Sequence, residues 1–432
     1  MALHRTGSFR RMFWVPLGYA LAGTALGMLL PRAEAYLLPG LPFGVSTGSA
    51  QVILSTIASG MMALTAIVFS VAFVMVQFSA TAYSPRLVVW LARSAVINHS
   101  IGVFTATFLY AIAAVAWIDR GGSGTVPPIT VWFAVILLLI SVLFFVLLVE
   151  KIGMLQVTRV LMFAGDEGRR VINLMYPPPG DSRQGGAPSR VGADLPARAP
   201  VLATLTHCGG PVVVQAVRTD ALVTLARRHD VVMDLAVAVG DTVMDGMTIL
   251  RVHGTGAAPP EVRIRRAIEL GPERTFEQDP KYAIRILVDV AIKALSPAIN
   301  DPTTAVQALD QIEDLLLRMG RCNLDVGRAY DADGRLRVVM PVPTWNDLVV
   351  LALDEIRFCG ATSVQVMRRT RALLEDLKAQ VRPDRRADLE YFLARVDKGI
   401  RRDFDDADDQ RDALEHDRQG LGLSRGRNVE PE

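Results

Sequence analysis

Residues 35–85 read AYLLPGLPFGVSTGSAQVILSTIASGMMALTAIVFSVAFVMVQFSATAYSP, which is 51 consecutive positions without a lysine, arginine, aspartate or glutamate. Three further uncharged stretches flank it, 12–31, 94–118 and 121–149. A water-soluble fold interrupts its sequence with charge far more often. About 20 apolar residues suffice to cross the hydrocarbon core of a bilayer as a helix. The first 150 residues therefore predict a membrane domain of four transmembrane α-helices, over about 12–30, 50–80, 96–118 and 129–149, with the lipid bilayer as its first partner. Spanning strands would alternate apolar and polar residues, and these runs do not. Turn formers fill the connections: Pro39-Gly40, Pro42 and Gly44, then Gly121-Gly122, Gly124 and Pro127-Pro128.

Basic residues in short loops set the orientation. Arg5, Arg10 and Arg11 precede the first span, Arg86 and Arg93 lie between the second and third, and Lys151 follows the fourth. The opposite loops hold Arg32 beside Glu34 and Arg120 beside Asp119. Both termini are expected in the cytoplasm of a bacterial cell, with the protein in its inner (plasma) membrane. Ser84, Arg86 and Arg93 then mark a cytoplasmic interface. Arg10-Arg11, the apolar run and Ala33-Glu34-Ala35 imitate a secretory signal with its cleavage site. The length of that run and Pro16 favour an uncleaved anchor.

The second span is over-long for a ~30 Å core. It carries Ser55, Thr56, Ser59, Thr65, Ser70 and Gln77, a candidate polar seam. Such a seam lines a pore in one reading. In the other it is glue, because small and hydroxyl residues let membrane helices approach and bond. The spans so drawn contain no acid or base, which leaves no intramembrane proton relay. Gly23 and Gly27 form a GxxxG in the first span, a common spacing in apolar helices.

The remainder reads as a cytoplasmic α+β region. A helical extension is expected over 151–176. A flexible linker rich in Pro, Gly, Ser and Arg follows over 177–200. A small β-rich, sandwich-like module is placed at 201–256, where VGDTVMDGMTIL looks like the strand–turn–strand of biotinyl and lipoyl carriers. No lysine occurs between 152 and 280, so no prosthetic group can be attached there and no cofactor is expected. A mainly helical domain spans 257–402. Asp220 is expected to cap one short helix and Asp279, ahead of Pro280, another. Asp333-Gly334 marks a hairpin, and Thr344-Trp345-Asn346-Asp347 a capping box. From 403 to 432 charge dominates and a disordered tail is expected.

The connector SPAINDPTTA, 296–305, carries the candidate ligand or ion site: Ser296, Asn300, Asp301, Thr303 and Thr304 gathered at a helix amino terminus. The plainer alternative is a tight turn that consumes these residues in capping. Arg263, Arg265, Arg266 and Arg274 could serve phosphate, but arginine outnumbers lysine 41 to 5 throughout, which weakens each as a signal.

Several segments resemble a family of predicted bacterial membrane proteins catalogued as domain of unknown function 2254. They are QFSATAYSPRL (77–87), FTATFLY (104–110), VQAVRTDAL (214–222), RTFEQDPKYAIRILVDVAIKALSPAINDPTTA (274–305) and the helix near Trp345. The resemblance implies an integral membrane protein with a cytoplasmic carboxyl domain, and no activity.

Catalytic signatures are missing. Cys208, Cys322 and Cys359 are far apart, and no histidine stands at metal-ligand spacing from a cysteine or another histidine, so no metal and no enzyme is expected. Beyond residue 150 there are 39 basic and 41 acidic residues, a balance that argues against nucleic acid as a partner. The favoured expectation is a homo-oligomeric, channel-like protein with a cytoplasmic regulatory domain. The alternative is a membrane-tethered sensor or scaffold that binds a small ligand or protein through its cytoplasmic helices.

Overall fold

The computed structural model describes residues 6–37, 45–82, 95–118, 125–153, 157–176 and 200–422. The chain divides into two compact units, Met1–Gln156 and Val157–Glu432.

The first unit holds four helices long and apolar enough to cross a membrane, with candidate spans Trp14–Leu37, Thr47–Ser70, Val96–Trp117 and Pro128–Glu150. They belong to helices α1 (Thr6–Leu37), α2 (Thr47–Ala82), α3 (Ala95–Ile118) and α4 (Pro128–Gly153). Two short strands, β1 (Val45–Ser46) and β2 (Thr125–Val126), pair antiparallel and tie the start of α2 to the start of α4. α3 lies at the centre of the unit and packs on α1, α2 and α4. Its Phe104, Tyr110, Ala111 and Ala114 are fully buried. The outward faces carry large apolar side chains instead, among them Leu21, Leu29, Val52, Phe69, Trp132, Leu139 and Leu143. So wide an apolar exterior needs a covering that water does not supply.

α1 departs from the expected span. It continues through Pro31 to Leu37 instead of stopping near residue 30. Glu34 is therefore a helical residue, and a buried one. The expectation that no acid lies within a span is corrected on this point.

The second unit opens with α5 (Val157–Met175) and continues into two sheets. The larger has strand order β3-β7-β5-β10-β9 and the smaller β6-β4-β8, with β3 (Val201–Thr206), β4 (Val212–Val217), β5 (Val231–Leu235), β6 (Thr242–Val243), β7 (Thr248–Gly254), β8 (Ile268–Gly271), β9 (Arg328–Tyr330) and β10 (Leu336–Val339). Helices α6 (Thr219–His229) and α7 (Glu261–Ala267) complete this module. Its core joins Leu205, Val214, Leu222, Met233, Leu250, Val252, Ile264 and Val338.

The module does not close at residue 256. β8 extends the small sheet, and β10 pairs parallel with β5 in the large one. β5 would otherwise present an open edge of backbone donors and acceptors. Arg337, 5% exposed, locks the late hairpin in place. Its Nε donates to Asp331 Oδ2 at 2.7 Å and its Nη1 to Asp230 Oδ1 at 2.9 Å, just beyond α6. Asp230 closes α6 in the left-handed conformation (φ 51°). α6 begins at Thr219 with Arg218 in the cap position, so Asp220 sits in the first turn and does not cap it.

Between the sheet strands the chain makes α8 (Pro280–Ala294) and α9 (Pro302–Arg321), then returns for α10 (Trp345–Cys359), α11 (Val364–Gln380), a 3₁₀ turn (Pro383–Arg385), α12 (Arg386–Asp403) and α13 (Ala407–Leu414). α9 shows apolar stripes, and its Ala305, Leu309, Ile312, Leu315 and Leu316 are completely buried. Thr344 and Asp347 form the expected reciprocal capping box at α10.

The tail is a further correction. Residues 404–422, expected to be disordered, are folded and include α13, because their charges meet opposite charges on α11. The linker 177–199, the last residues 423–432, and Ser84, Arg86 and Arg93 lie outside the described residues.

Candidate functional site

The connector between α8 and α9 is a turn whose polar groups face inward on one another. Ser296 Oγ donates to the Lys293 carbonyl at 2.7 Å. Asp301 caps α9: Oδ1 accepts from Thr304 N at 3.1 Å and Oδ2 from Thr304 Oγ1 at 2.6 Å. The Asp301 amide donates to Ala294 O at 2.8 Å, which closes the loop on itself. Asn300 turns the chain with φ at 47°, a conformation asparagine tolerates better than most residues. Asn300 and Thr303 are exposed. The structure thus spends Asp301 and Thr304 together on the cap of α9 and Ser296 separately on the end of α8.

A denser polar junction lies just upstream. Asp279, expected as the cap of α8, occupies the cap position without capping. Its Oδ2 instead accepts from Arg274 Nε at 2.8 Å, and Arg274 Nη2 stands 2.7 Å from it. Asp279 is 1% exposed and its Oδ1 has no hydrogen-bond partner. Burial pushes its carboxyl above the usual range and outweighs the guanidinium beside it. Gly240, at φ 91°, lies so close that a Cβ there would sit 2.4 Å from Asp279 Oδ2. Gln278 Oε1 accepts from Val217 N at 2.9 Å, and Gln215 Nε2 donates to Glu273 O. Phe276 packs between Phe163 of α5 and Tyr282 of α8, at ring distances of 5.8 and 4.8 Å. RTFEQDPK, 274–281, therefore pins β4, the Gly240 turn and α5 to the foot of α8.

In the first unit the polar residues of α2 do not meet the other helices. Ser55, Thr56, Ser59 and Ser70 are exposed, and Thr65 is half-buried. Ser59 Oγ returns to the Ser55 carbonyl at 2.9 Å and Thr65 Oγ1 to Met61 O at 2.7 Å, each one turn back. At about 3.6 residues per turn, Ser55, Ser59, Ala66 and Ser70 fall on the face opposite the buried Leu54, Ile57, Met61 and Val68. The side chain of Gln77 lies outside the described residues.

The intramolecular glue is elsewhere. Thr107 Oγ1 and Ser141 Oγ meet at 3.0 Å between α3 and α4, and Ser100 Oγ donates to Phe144 O at 3.3 Å. Gly23 and Gly27 touch α3 directly: a Cβ would stand 2.5 Å from Ala106 O and 2.7 Å from Tyr110 O. Seven residues past Gly27, on the same face of α1, stands Glu34. Its Oε1 accepts from Ile129 N at 2.7 Å, and its Oε2 from Thr130 N at 2.8 Å and Thr130 Oγ1 at 2.9 Å. One carboxylate thus caps α4 from another helix, where the helix dipole favours negative charge. Tyr110 of α3 donates to Thr130 O at 2.9 Å and completes the joint. The i, i+4, i+11 spacing of Gly23, Gly27 and Glu34 is the sequence signal for it. The signal was hidden because Pro31 and Ala33-Glu34-Ala35 read as a loop.

The model of a family described as "Predicted membrane protein (DUF2254)" matches residues 10–376. The chain is 27% identical over 413 residues to "Uncharacterized protein Rv1290c" of Mycobacterium tuberculosis, covering 92% of this chain and 77% of that relative. It matches "Uncharacterized protein Mb1321c" of Mycobacterium bovis to the same extent. No solved structure matches the chain.

Proposed function

The chain belongs to the DUF2254 family of predicted membrane proteins, and from that premise we propose that it is a homo-oligomeric, channel-like protein of the bacterial inner membrane, with both termini and the sheet-and-helix unit in the cytoplasm. The reading is non-enzymatic, and nucleic acid is no partner. The observation that carries it is the outward face of α2. Ser55, Ser59 and Ser70 lie opposite the packed face, exposed. α2 is 36 residues long, about 54 Å at 1.5 Å per residue, beyond what a bilayer core requires. That face interleaves its hydroxyls with exposed Val52, Met62 and Phe73; the hydroxyls gain little from hydrocarbon, and gain close approach or water from copies of the helix around an axis. Positive loop residues support the cytoplasmic placement.

The rival, a sensor or scaffold with a membrane tether, draws on the helical surface of the second unit. Planar-bilayer recording and mass measurement in native-lipid particles separate the two. The channel reading expects an oligomer with conductance that Ser59→Leu and Ser70→Leu abolish while leaving the helices folded. A strict monomer, or an oligomer silent under voltage, tension and ligand, removes it in favour of the tether.

A further inference from the structure

We propose that residues 404–422 form a strap that charge holds against α11, and that the strap lifts off as a unit while the helical bundle beneath it stays folded, uncovering Arg368. The argument begins with what the strap lacks. Among its described residues, Phe404 and Ala413 are the apolar side chains buried. The preceding helix α12 buries Leu389, Phe392, Val396 and Ile400 completely. A segment with two apolar anchors has little hydrophobic grip, so its adhesion must come from elsewhere.

The adhesion is a ladder of charges in register. Arg368 of α11 donates to the Asp412 carbonyl, and its Nη2 lies 3.3 Å from Asp412 Oδ2 and 3.9 Å from Glu415 Oε2. Two turns further along α11, Asp376 accepts both arms of Arg418, at 2.7 and 2.8 Å. His416 Nε2 stands 3.8 Å from Glu375 and from Asp376. The strap therefore presents acid, then base, to a helix that presents base, then acid. Its far end runs backbone against α11. A Cβ on Gly420 would sit 2.6 Å from Gln365 O, and one on Gly422 would sit 2.5 Å from Arg368 Nη1. Both glycines hold positive φ, 68° and 72°. Asp417 stiffens this end by accepting from Gln419 N at 2.9 Å and from Gly422 N. The family match ends at residue 376, within α11, so Arg368, Glu375 and Asp376 lie inside it.

Charge adhesion is screened by salt, whereas apolar adhesion is not. Hydrogen–deuterium exchange of the full chain in lipid particles reads both. From low to high NaCl, exchange in 404–422 should rise tenfold or more, while α9 keeps its protection. Arg418→Gln should raise strap exchange about two- to fivefold at low salt and blunt the response to NaCl, whereas Phe404→Ala should leave that response in place. Two results overturn the proposal: exchange of 404–422 that follows α11 and α12 in one cooperative step, or a strap freed by Phe404→Ala and indifferent to salt and to Arg418→Gln.

Discussion

In the first unit glycine, hydroxyls and one carboxylate join the apolar contacts of Leu54, Ile57, Met61 and Phe104 between helices; in the second, leucine and isoleucine are joined by arginine–carboxylate pairs. Gly23 and Gly27 bring α1 against the backbone of α3, and Glu34 caps α4. In the second unit α9 buries an apolar stripe, and Arg169, Arg285 and Arg371 pair with carboxylates around the rim of the bundle. The solvent explains the difference. Lipid offers apolar side chains no reason to leave it, so membrane helices gain from close fit and from polar bonds. Water supplies the apolar drive, and a rim ion pair then adds only ~0–1 kcal/mol. A single polar contact should therefore matter more in the first unit than in the second.

The sharpest way to break that comparison is to remove the carboxylate that caps α4. Glu34→Ala leaves the Ile129 and Thr130 amides without their acceptor, and Thr130 is fully buried. The expected loss is about 2–4 kcal/mol, since an unsatisfied buried donor costs its full desolvation. Glu34→Gln keeps an acceptor and should cost less. Unfolding in mixed micelles measures both. A loss from Glu34→Ala as small as that from removing an exposed pair such as Arg411–Asp408 would erase the contrast.

A finer contrast lies inside the second unit, between two buried aspartates that each hold an arginine. Asp331 accepts from Arg337 Nε and from the amides of Asp333 and Arg335, and the guanidinium bond above all holds its carboxyl below the usual range. Its folded form prefers the charge. The stability it contributes is present above the unfolded carboxyl pKa, about 3.9, and is lost as pH falls through the lower folded value. Asp279 is displaced upward by burial in spite of Arg274. Its folded form prefers the proton. The stability linked to it is complete below the unfolded pKa and is lost as pH rises through the folded one. Denaturation of the two variants across acid to neutral pH should diverge. Asp331→Asn should flatten the acid-side fall, and Asp279→Asn should remove a penalty that grows toward neutrality. If both variants shift the profile the same way, burial and pairing are not opposed as the geometry has them.

What could be read from sequence followed the range of the interaction. Four spans are visible because lipid forbids charge over a whole segment, and 35–85 shows it at a glance. The capping box at Thr344 and Asp347 is visible because its partners lie three residues apart. The role of Glu34 is not, because its partners are 95 and 96 residues away and Pro31 reads as the end of the helix. The insertion of β10 beside β5 is not, because Val338 and Met233 pair across about a hundred residues that hold four other strands and three helices. The strap reads as disorder because composition counts charges without their register: Arg418 and Asp376 cancel only when α11 is folded beneath. The helix start at Asp279 is legible and its bond is not, since Arg274 takes the oxygen that a cap would use.

The smallest effect concerns the connector, where the comparison is between a cap and a binding site. As a cap, Asp301 can be exchanged for asparagine with little loss, because both accept from the amide three residues on. Asp301→Ala should cost about 1 kcal/mol, the usual worth of such a cap. Both changes should leave conductance and assembly as they were, because Thr304 and Ser296 are satisfied within the turn. The informative result is the opposite one. Should Asp301→Asn keep its full melting temperature and yet silence whatever activity the intact chain shows, the negative charge itself is in use. The exposed Asn300 and Thr303 beside it would then be the place to look for what it holds.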